Sequence, residues 1–298
     1  MHRLRLLAPL LLLAAAPAPQ KAQAVPAPQA HPALWKLADA DTTIWLFGSI
    51  HILPAGTNWM DPAIKRAVDS AQSLTIETVL DEKPEEVAGI LMTLGRLTQS
   101  LPLTARVPPA RRAQLAALVK ASGYPPALLD GMKTWAAAIM LTGAALQQIG
   151  VDTAQSPGVE PQLTALFRSA GKPVEGLEAP AQQLGFFNQL PESAQRAFLA
   201  ATLDNPAKAR ADFLKMVDAW SRGDPDAIEK SFADDPEFTP ALRDLLIRQR
   251  DRNWAETLAK RLEKPGTVFV AVGAGHLVGP DSVQKMLAAK GLKVVRVQ

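Results

Sequence analysis

Two short segments, more than two hundred residues apart, end in the same way. Ile44-Trp45-Leu46-Phe47 runs into Gly48-Ser49-Ile50-His51, and Val268-Phe269-Val270-Ala271-Val272 runs into Gly273-Ala274-Gly275-His276. A continuous apolar run followed by glycine reads as a buried strand opening into a tight loop. In an open α/β sheet, ligands bind in the loops beyond the carboxyl ends of the strands. Two histidines delivered to that edge from opposite ends of the chain imply one shared site, and the two strands must then pair with each other. His2 falls in a leader segment and His31 in a Pro/Ala-rich stretch that reads as disordered.

Arg3 and Arg5 precede the apolar run 6–16, and Ala22-Gln23-Ala24 follows it. This is the pattern of a secretory signal peptide, cut after Ala24 rather than after Ala16, which Pro17 follows. Residues 1–24 are therefore expected to be a signal peptide, 25–32 a disordered Pro/Ala-rich segment and 33–298 one α/β domain. The expected location is periplasmic or secreted. The apolar run is shorter than the about 20 residues that span a bilayer. The best later stretch, 135–146, stops at Gln147-Gln148, so membrane association is not evident once the leader is gone. Removing Arg3, Arg5 and Lys21 from 32 basic residues leaves 29, equal to the 29 acidic ones. That balance gives no electrostatic case for nucleic acid. With no cysteine in the chain, any metal must be held by His and carboxylate.

The apolar runs 34–37 and 43–47, separated by Ala38-Asp39-Ala40-Asp41, predict a β-hairpin. A helix is expected over 61–71, with Pro62 in its first turn, and a strand over 73–78. Helices then start at Pro84, at Pro108-Pro109 and at Pro125-Pro126, the last running to Gln148. A break over 150–158 precedes helices over 160–170, 182–190, 192–203, 206–221 and 239–262, with a short strand around Val174. A β-α-β unit closes the chain: strand 268–272, helix 281–289, strand 293–297. The expected fold is α/β, a sheet built from N- and C-terminal strands with a large helical insertion.

A single His after a strand is usually structural; the pairing of His51 with His276 is what points to a joint site. Histidine is the commonest metal ligand and the usual general base near neutral pH. Glu77 ends the strand Leu74-Thr75-Ile76 and should reach the same edge as His51. Its simplest alternative is a strand-end carboxylate facing water, and Asp81 and Glu82 offer similar chemistry nearby. Two imidazoles and a carboxylate with an open position form the general plan of hydrolytic metal sites. Arg248, Arg250, Arg252 and Asn253 form a polar cluster on the last long helix. At about 100° per residue, Arg252 and Asn253 continue the stripe of Leu242, Leu245 and Leu246. They could point into a site and clamp an oxyanion, or belong to a solvated helix face.

These residues resemble the TraB/GumN family (TraB/PrgY/GumN), related to the Tiki metalloproteases and more distantly to erythromycin-esterase-like and ChaN-like folds. The resemblance rests on Leu34-Trp35-Lys36 with the first Gly-x-x-His, on Glu77, and on Gly158-Val159-Glu160 with Leu177-Glu178 and Gln183. Arg252-Asn253-Trp254 and the closing Val272-Gly273-Ala274-Gly275-His276-Leu277-Val278-Gly279 complete it. Ser49 stands where Thr is usual in the family. The resemblance implies an α/β fold with a divalent metal (Mn, Co or Zn) at His51, Glu77 and His276. Tiki-like members are described as Mn- or Co-dependent peptidases, and TraB-like members are associated with shutting down a peptide pheromone. The favoured expectation is a metal-dependent hydrolase acting on peptides, with Glu77, Arg252 and Asn253 as catalytic residues. Two alternatives remain: a metal-free, esterase-like hydrolase using a histidine base oriented by Glu77, and a non-catalytic protein that sequesters peptides.

Overall fold

The computed structural model describes residues 29–80, 84–151, 157–235 and 238–298. The expected signal peptide and the alternative acids Asp81 and Glu82 lie outside the described residues. β1 (Leu34–Ala38) and β2 (Thr42–Ser49) form the expected antiparallel hairpin. Asp39 closes the turn by accepting from the amide of Thr42 at 2.8 Å. β3 (Ser73–Ile76), β4 (Val174–Gly176), β5 (Gly266–Gly273) and β6 (Val294–Arg296) complete a sheet of order β4-β3-β5-β2-β1-β6. The strands of the two Gly-x-x-His segments are neighbours: β2 and β5 pair in parallel, with Gly48 opposite Val272 and Ser49 opposite Gly273. β3 flanks β5, also in parallel.

β5 is apolar at nearly every position because both its faces are covered, as parallel strands require. Phe269 and Ala271 enter a core with Phe47, Trp59 and Trp220. Val268, Val270 and Val272 enter another with Ile44, Leu46 and Trp254. The helices are α1 (Pro62–Ser70), α2 (Pro84–Leu94), α3 (Arg112–Ser122), α4 (Pro126–Asp130), α5 (Thr134–Gln148), α6 (Val159–Ser169) and α7 (Pro180–Gln189). They continue as α8 (Glu192–Ala201), α9 (Pro206–Ser221), α10 (Pro225–Ala233), α11 (Pro240–Arg243), α12 (Gln249–Arg261) and α13 (Val283–Ala289). Proline opens many of them, where its missing N–H costs nothing. The insertion between β3 and β5 carries an apolar cluster of its own around Trp135, Leu115, Leu141 and Leu199. No helix among the described residues is long and apolar enough to cross a membrane.

Four expectations need correction. The helix expected from Pro125 to Gln148 is broken between α4 and α5. The buried Arg106 guanidinium claims the carbonyls of Met132 at 2.5 Å and Asp130 at 2.9 Å, which a continuous helix would have used internally. α10 was not anticipated; the Asp224 side chain caps it by accepting from Ala227 N at 3.0 Å. Residues 29–32 of the stretch read as disordered are packed on the domain. Ala30 N donates to Asn58 O at 2.8 Å and His31 N to Ser221 O at 2.7 Å, while His31 Nδ1 meets Asp61, the cap of α1, at 2.9 Å. Finally, the helix expected over 239–262 contains one π turn, Asp244–Arg248, between α11 and α12.

One contact ties the insertion to the first Gly-x-x-His loop. Val159 N donates to Ile50 O at 3.0 Å, and a β-carbon on Gly158 would overlap the carbonyl carbon and oxygen of His51. The obstacle is backbone, which cannot swing aside. Gly158→Ala should therefore destabilise the protein by about 1–3 kcal/mol, the usual cost of overpacking, and displace the His51 loop. Chemical denaturation measures the first effect; unchanged stability would mean that the two segments are not in contact in solution.

Candidate functional site

The loops after β2 and β5 leave the sheet side by side, with β3 on the far flank of β5. Trp220, from α9, fixes the end of β2 by donating from Nε1 to Gly48 O at 2.7 Å. Glu77 follows β3 and is buried; its Oε1 accepts from Gly273 N at 2.7 Å and its Oε2 from Gln183 Nε2 at 3.3 Å. His276 is buried and its Nε2 lies 3.7 Å from Glu77 Oε1. Gly273 separates the three expected ligands. A β-carbon there would lie 3.0 Å from Glu77 Oε1 and 3.6 Å from both His51 Nε2 and His276 Cδ2. Glycine is needed because any side chain would intrude into the space they share.

Each imidazole is oriented by a carboxylate on its Nδ1. His276 Nδ1 meets Asp251 Oδ1 at 2.5 Å. His51 Nδ1 meets Glu160 Oε1 at 2.7 Å, and the same oxygen accepts from Ser49 Oγ at 2.6 Å. Glu160 stands in the first turn of α6, where the helix dipole favours a negative charge. The two histidines differ in access: the His51 side chain is 67 % exposed and that of His276 only 6 %. A cleft of about 350 Å³ opens beside His51, lined also by Ile76, Glu77, Thr78, Glu160 and Gln183.

Arg250 joins these parts. Its Nε donates to both oxygens of Glu178, at 3.0 and 3.1 Å, and its Nη2 to Glu178 at 2.9 Å and Glu77 at 2.6 Å. Its Nη1 faces His276 Nε2 at 3.2 Å and Leu246 O at 3.3 Å. A guanidinium has only donors, so the His276 Nε2 opposite it must accept. Trp254 completes the packing: its ring lies 4.4 Å from the His276 ring, and its Nε1 donates to Glu178 at 2.9 Å.

Arg252 and Asn253, the expected polar pair, are exposed on α12 and outside this cluster, whereas Arg250, Asp251 and Trp254 are buried. The π turn explains the exchange. In it Gln249 N reaches back five residues to Asp244 O, so the helix advances less per residue and its later faces lag by about one position. The apolar stripe therefore continues into Arg250 rather than Arg252. Glu178 and Glu160 were visible only as parts of a sequence signature. Glu178 carries the same signal as Glu77, a carboxylate just past a short strand, and its backbone N donates to Glu77 O at 2.9 Å.

The site thus holds four carboxylates (Glu77, Glu160, Glu178 and Asp251) and one permanent cation, Arg250. The site answers this surplus by holding protons. Burial raises Asp251 to about 6, against the opposing hydrogen bond of His276 and the charge of Arg250. Desolvation works against a charged His51, but the hydrogen bond and charge of Glu160, and then the charge of Glu77, outweigh it and push the imidazole up to about 9. Burial alone would raise Glu77, yet the charge that His276 takes up when protonated, the charges of Arg250 and His51 and the Gly273 amide hold it down to about 2.

Imidazole and carboxylate are suitable donors for a divalent ion, and metal-bound histidines commonly rest their other nitrogen on a carboxylate. The buried Glu160 Oε2 has no hydrogen-bond partner, and the surplus of negative charge also suits a cation. In kind the residues fit, and an ion would have to displace the proton that His51 holds up to about 9. Among the described residues, however, no group of three or more His, Asp or Glu side chains is arranged to hold an ion as it stands. Arg250 donates to two of the three expected ligands, to Glu77 at 2.6 Å and to His276 Nε2 at 3.2 Å.

Because the folded value of Glu77 lies below its ordinary 4.5, its charge contributes stability above that pH and loses the contribution as pH falls towards 2. Glu77→Gln should be less stable than the parent protein at neutral pH by about 1.5–3 kcal/mol, the range for hydrogen bonds to charged groups. The difference should narrow between pH 4.5 and about 2. Urea unfolding at a series of pH values reads this directly, and a constant difference would remove Glu77 from the charge cluster.

The sequence model described as the TraB/PrgY/gumN family matches residues 33–296. The uncharacterized protein YbaP of Escherichia coli K12 is 26% identical over 245 residues, covering 81% of this chain and 86% of that protein. The protein of the same name from Shigella flexneri gives the same figures. No solved structure matches the chain.

Proposed function

The chain belongs to the TraB/PrgY/gumN family, and from its site we propose that it is an exported hydrolase of peptides, holding a divalent ion (Mn, Co or Zn) between His51, Glu77 and His276. The observation that carries this reading is the matched support of the two histidines. Glu160 and Asp251 occupy the Nδ1 sides, so an ion would be taken on the Nε2 sides: His51 Nε2 borders the space that Gly273 keeps clear beside Glu77, and His276 Nε2 faces Arg250 Nη1. A divalent ion there would supply Lewis-acid polarisation of water or a carbonyl near neutral pH. Asp251 and Glu160 fix ring orientation and strengthen the basicity of each Nε2. The cleft beside the exposed His51 would receive the substrate; Ile76 and Pro161 in its wall suit an apolar side chain of a peptide. The basic start and small-residue cleavage pattern of residues 1–24 support export.

A metal-free route has its own support. Arg250 is a permanent cation beside His276, and His51 holds a proton up to about 9. In that route His51 Nε2–H would donate to the leaving group while a Glu77 carboxylate oxygen accepted the proton of the attacking water.

Protein stripped with a chelator should cleave a mixed peptide library only after Mn²⁺, Co²⁺ or Zn²⁺ is returned, with products read by mass spectrometry. His276→Ala should lose at least about a hundredfold in rate, whereas Arg252→Ala should keep its rate and stay within about 0.5 kcal/mol of parent stability. Cleavage that ignores the ion selects the metal-free route. Tight peptide retention without cleavage under any condition would instead make the protein a sequestering one.

A further inference from the structure

Every N–H of Arg250 is already spoken for. A guanidinium has five; Glu178 takes Nε and one Nη2 proton, Glu77 the other, and Leu246 O and His276 Nε2 take the pair on Nη1. No donor is left to clamp a substrate, so the residue does something other than bind an oxyanion. Its two edges are also unequal. The Nε edge is held by Glu178, whose side chain is 0% exposed and is itself held by Trp254 Nε1 at 2.9 Å. The guanidinium carbon lies 4.6 Å from the Trp254 ring centre. The Nη1 edge has the longer contacts, 3.2 Å to His276 Nε2 and 3.3 Å to Leu246 O.

We infer that Arg250 is an internal competitor for the divalent ion: it stands in for the cation beside His276 and Glu77, and gives way when the ion binds. The inference rests on the metal reading above. A guanidinium cannot shed its proton, so it and a divalent ion repel each other across a buried site, where charges are poorly screened. The ion needs the His276 nitrogen lone pair that Nη1 now faces. The Glu178 anchor supplies a place to retreat to, because a small rotation about the Nε edge frees His276 without leaving either Arg250 or Glu178 unpaired. Arg250 thus keeps the donors apart and solvates Glu77 in the empty state, at the cost of ion affinity.

Calorimetric titration of Mn²⁺ and Zn²⁺ into metal-free parent protein, Arg250→Ala and His276→Ala tests this without measuring activity. The expected result is binding to the parent, loss of that binding in His276→Ala, and binding at least about tenfold tighter in Arg250→Ala, from the repulsion removed. Millimolar guanidinium chloride, refilling the space, should abolish the gain, while equal sodium chloride should not. Binding that depends on His276 but is equal or weaker in Arg250→Ala overturns the competitor role and leaves the metal reading standing. No binding to the parent or to Arg250→Ala overturns both. Should Arg250→Ala fail to fold with Glu178 stripped of its partner, nitrogen-detected NMR of the parent protein decides. Zn²⁺ must then shift the Arg250 Nη1 signal and leave Nε near its place; bound Zn²⁺ with an unmoved Nη1 signal refutes the inference.

Discussion

The parallel ladder between β2 and β5 is the constraint on which the rest of the molecule depends. It joins the two ends of the domain and, by aligning Ser49 with Gly273, brings both histidine loops out at one edge. Register is enforced from both faces. A slip of one residue would exchange Phe269 and Ala271 with the valines between them and mismatch both cores at once. The polypeptide that separates the strands must close a very long loop, but closure entropy grows only logarithmically with length. A large helical insertion is therefore thermodynamically tolerable, provided it buries its own apolar surface, as the cluster around Trp135 does. The penalty falls on kinetics, since contacts this distant in sequence form slowly.

The ladder also creates the electrostatic problem that the site resolves. Parallel strands place their carboxyl ends together, and here β3, the segment after β4 and the first turn of α6 each contribute a carboxylate to one poorly hydrated region. Carboxylates so placed are costly unless paired. Arg250, the raised pKa values of His51 and Asp251, and the amide of Gly273 share the compensation. Glu178 looks remote from any chemistry, yet it is the fixed point from which Arg250 is aimed.

The parts of this arrangement legible in the sequence are those whose signals are local. Both histidine strands, the hairpin and Glu77 follow from apolar runs meeting a glycine or a polar end residue. The helix break after Asp130 was not legible, because its cause is Arg106, a residue more than twenty positions away that captures the carbonyls. Asp251 and Glu160 escaped for a related reason: they act through a histidine, and nothing in their neighbourhood marks a partner so distant in sequence. In the sequence the apolar stripe points to Arg252 rather than Arg250, since extrapolating a stripe assumes uniform helical geometry. The chain departs from that geometry for one turn.

That turn has a wider consequence. The π turn over Asp244–Arg248 is one residue of extra length absorbed into a helix. The site therefore depends on a count as well as on identities. Losing any one residue from this stretch would let the helix relax to uniform geometry and carry Arg250 and Asp251 round by about 100°, away from Glu178 and His276. Every functional side chain would still be present, and the helix would be more regular than before. A survey of substitutions would pass over such a lesion, because the information it erases is a phase, stored in the length of the chain.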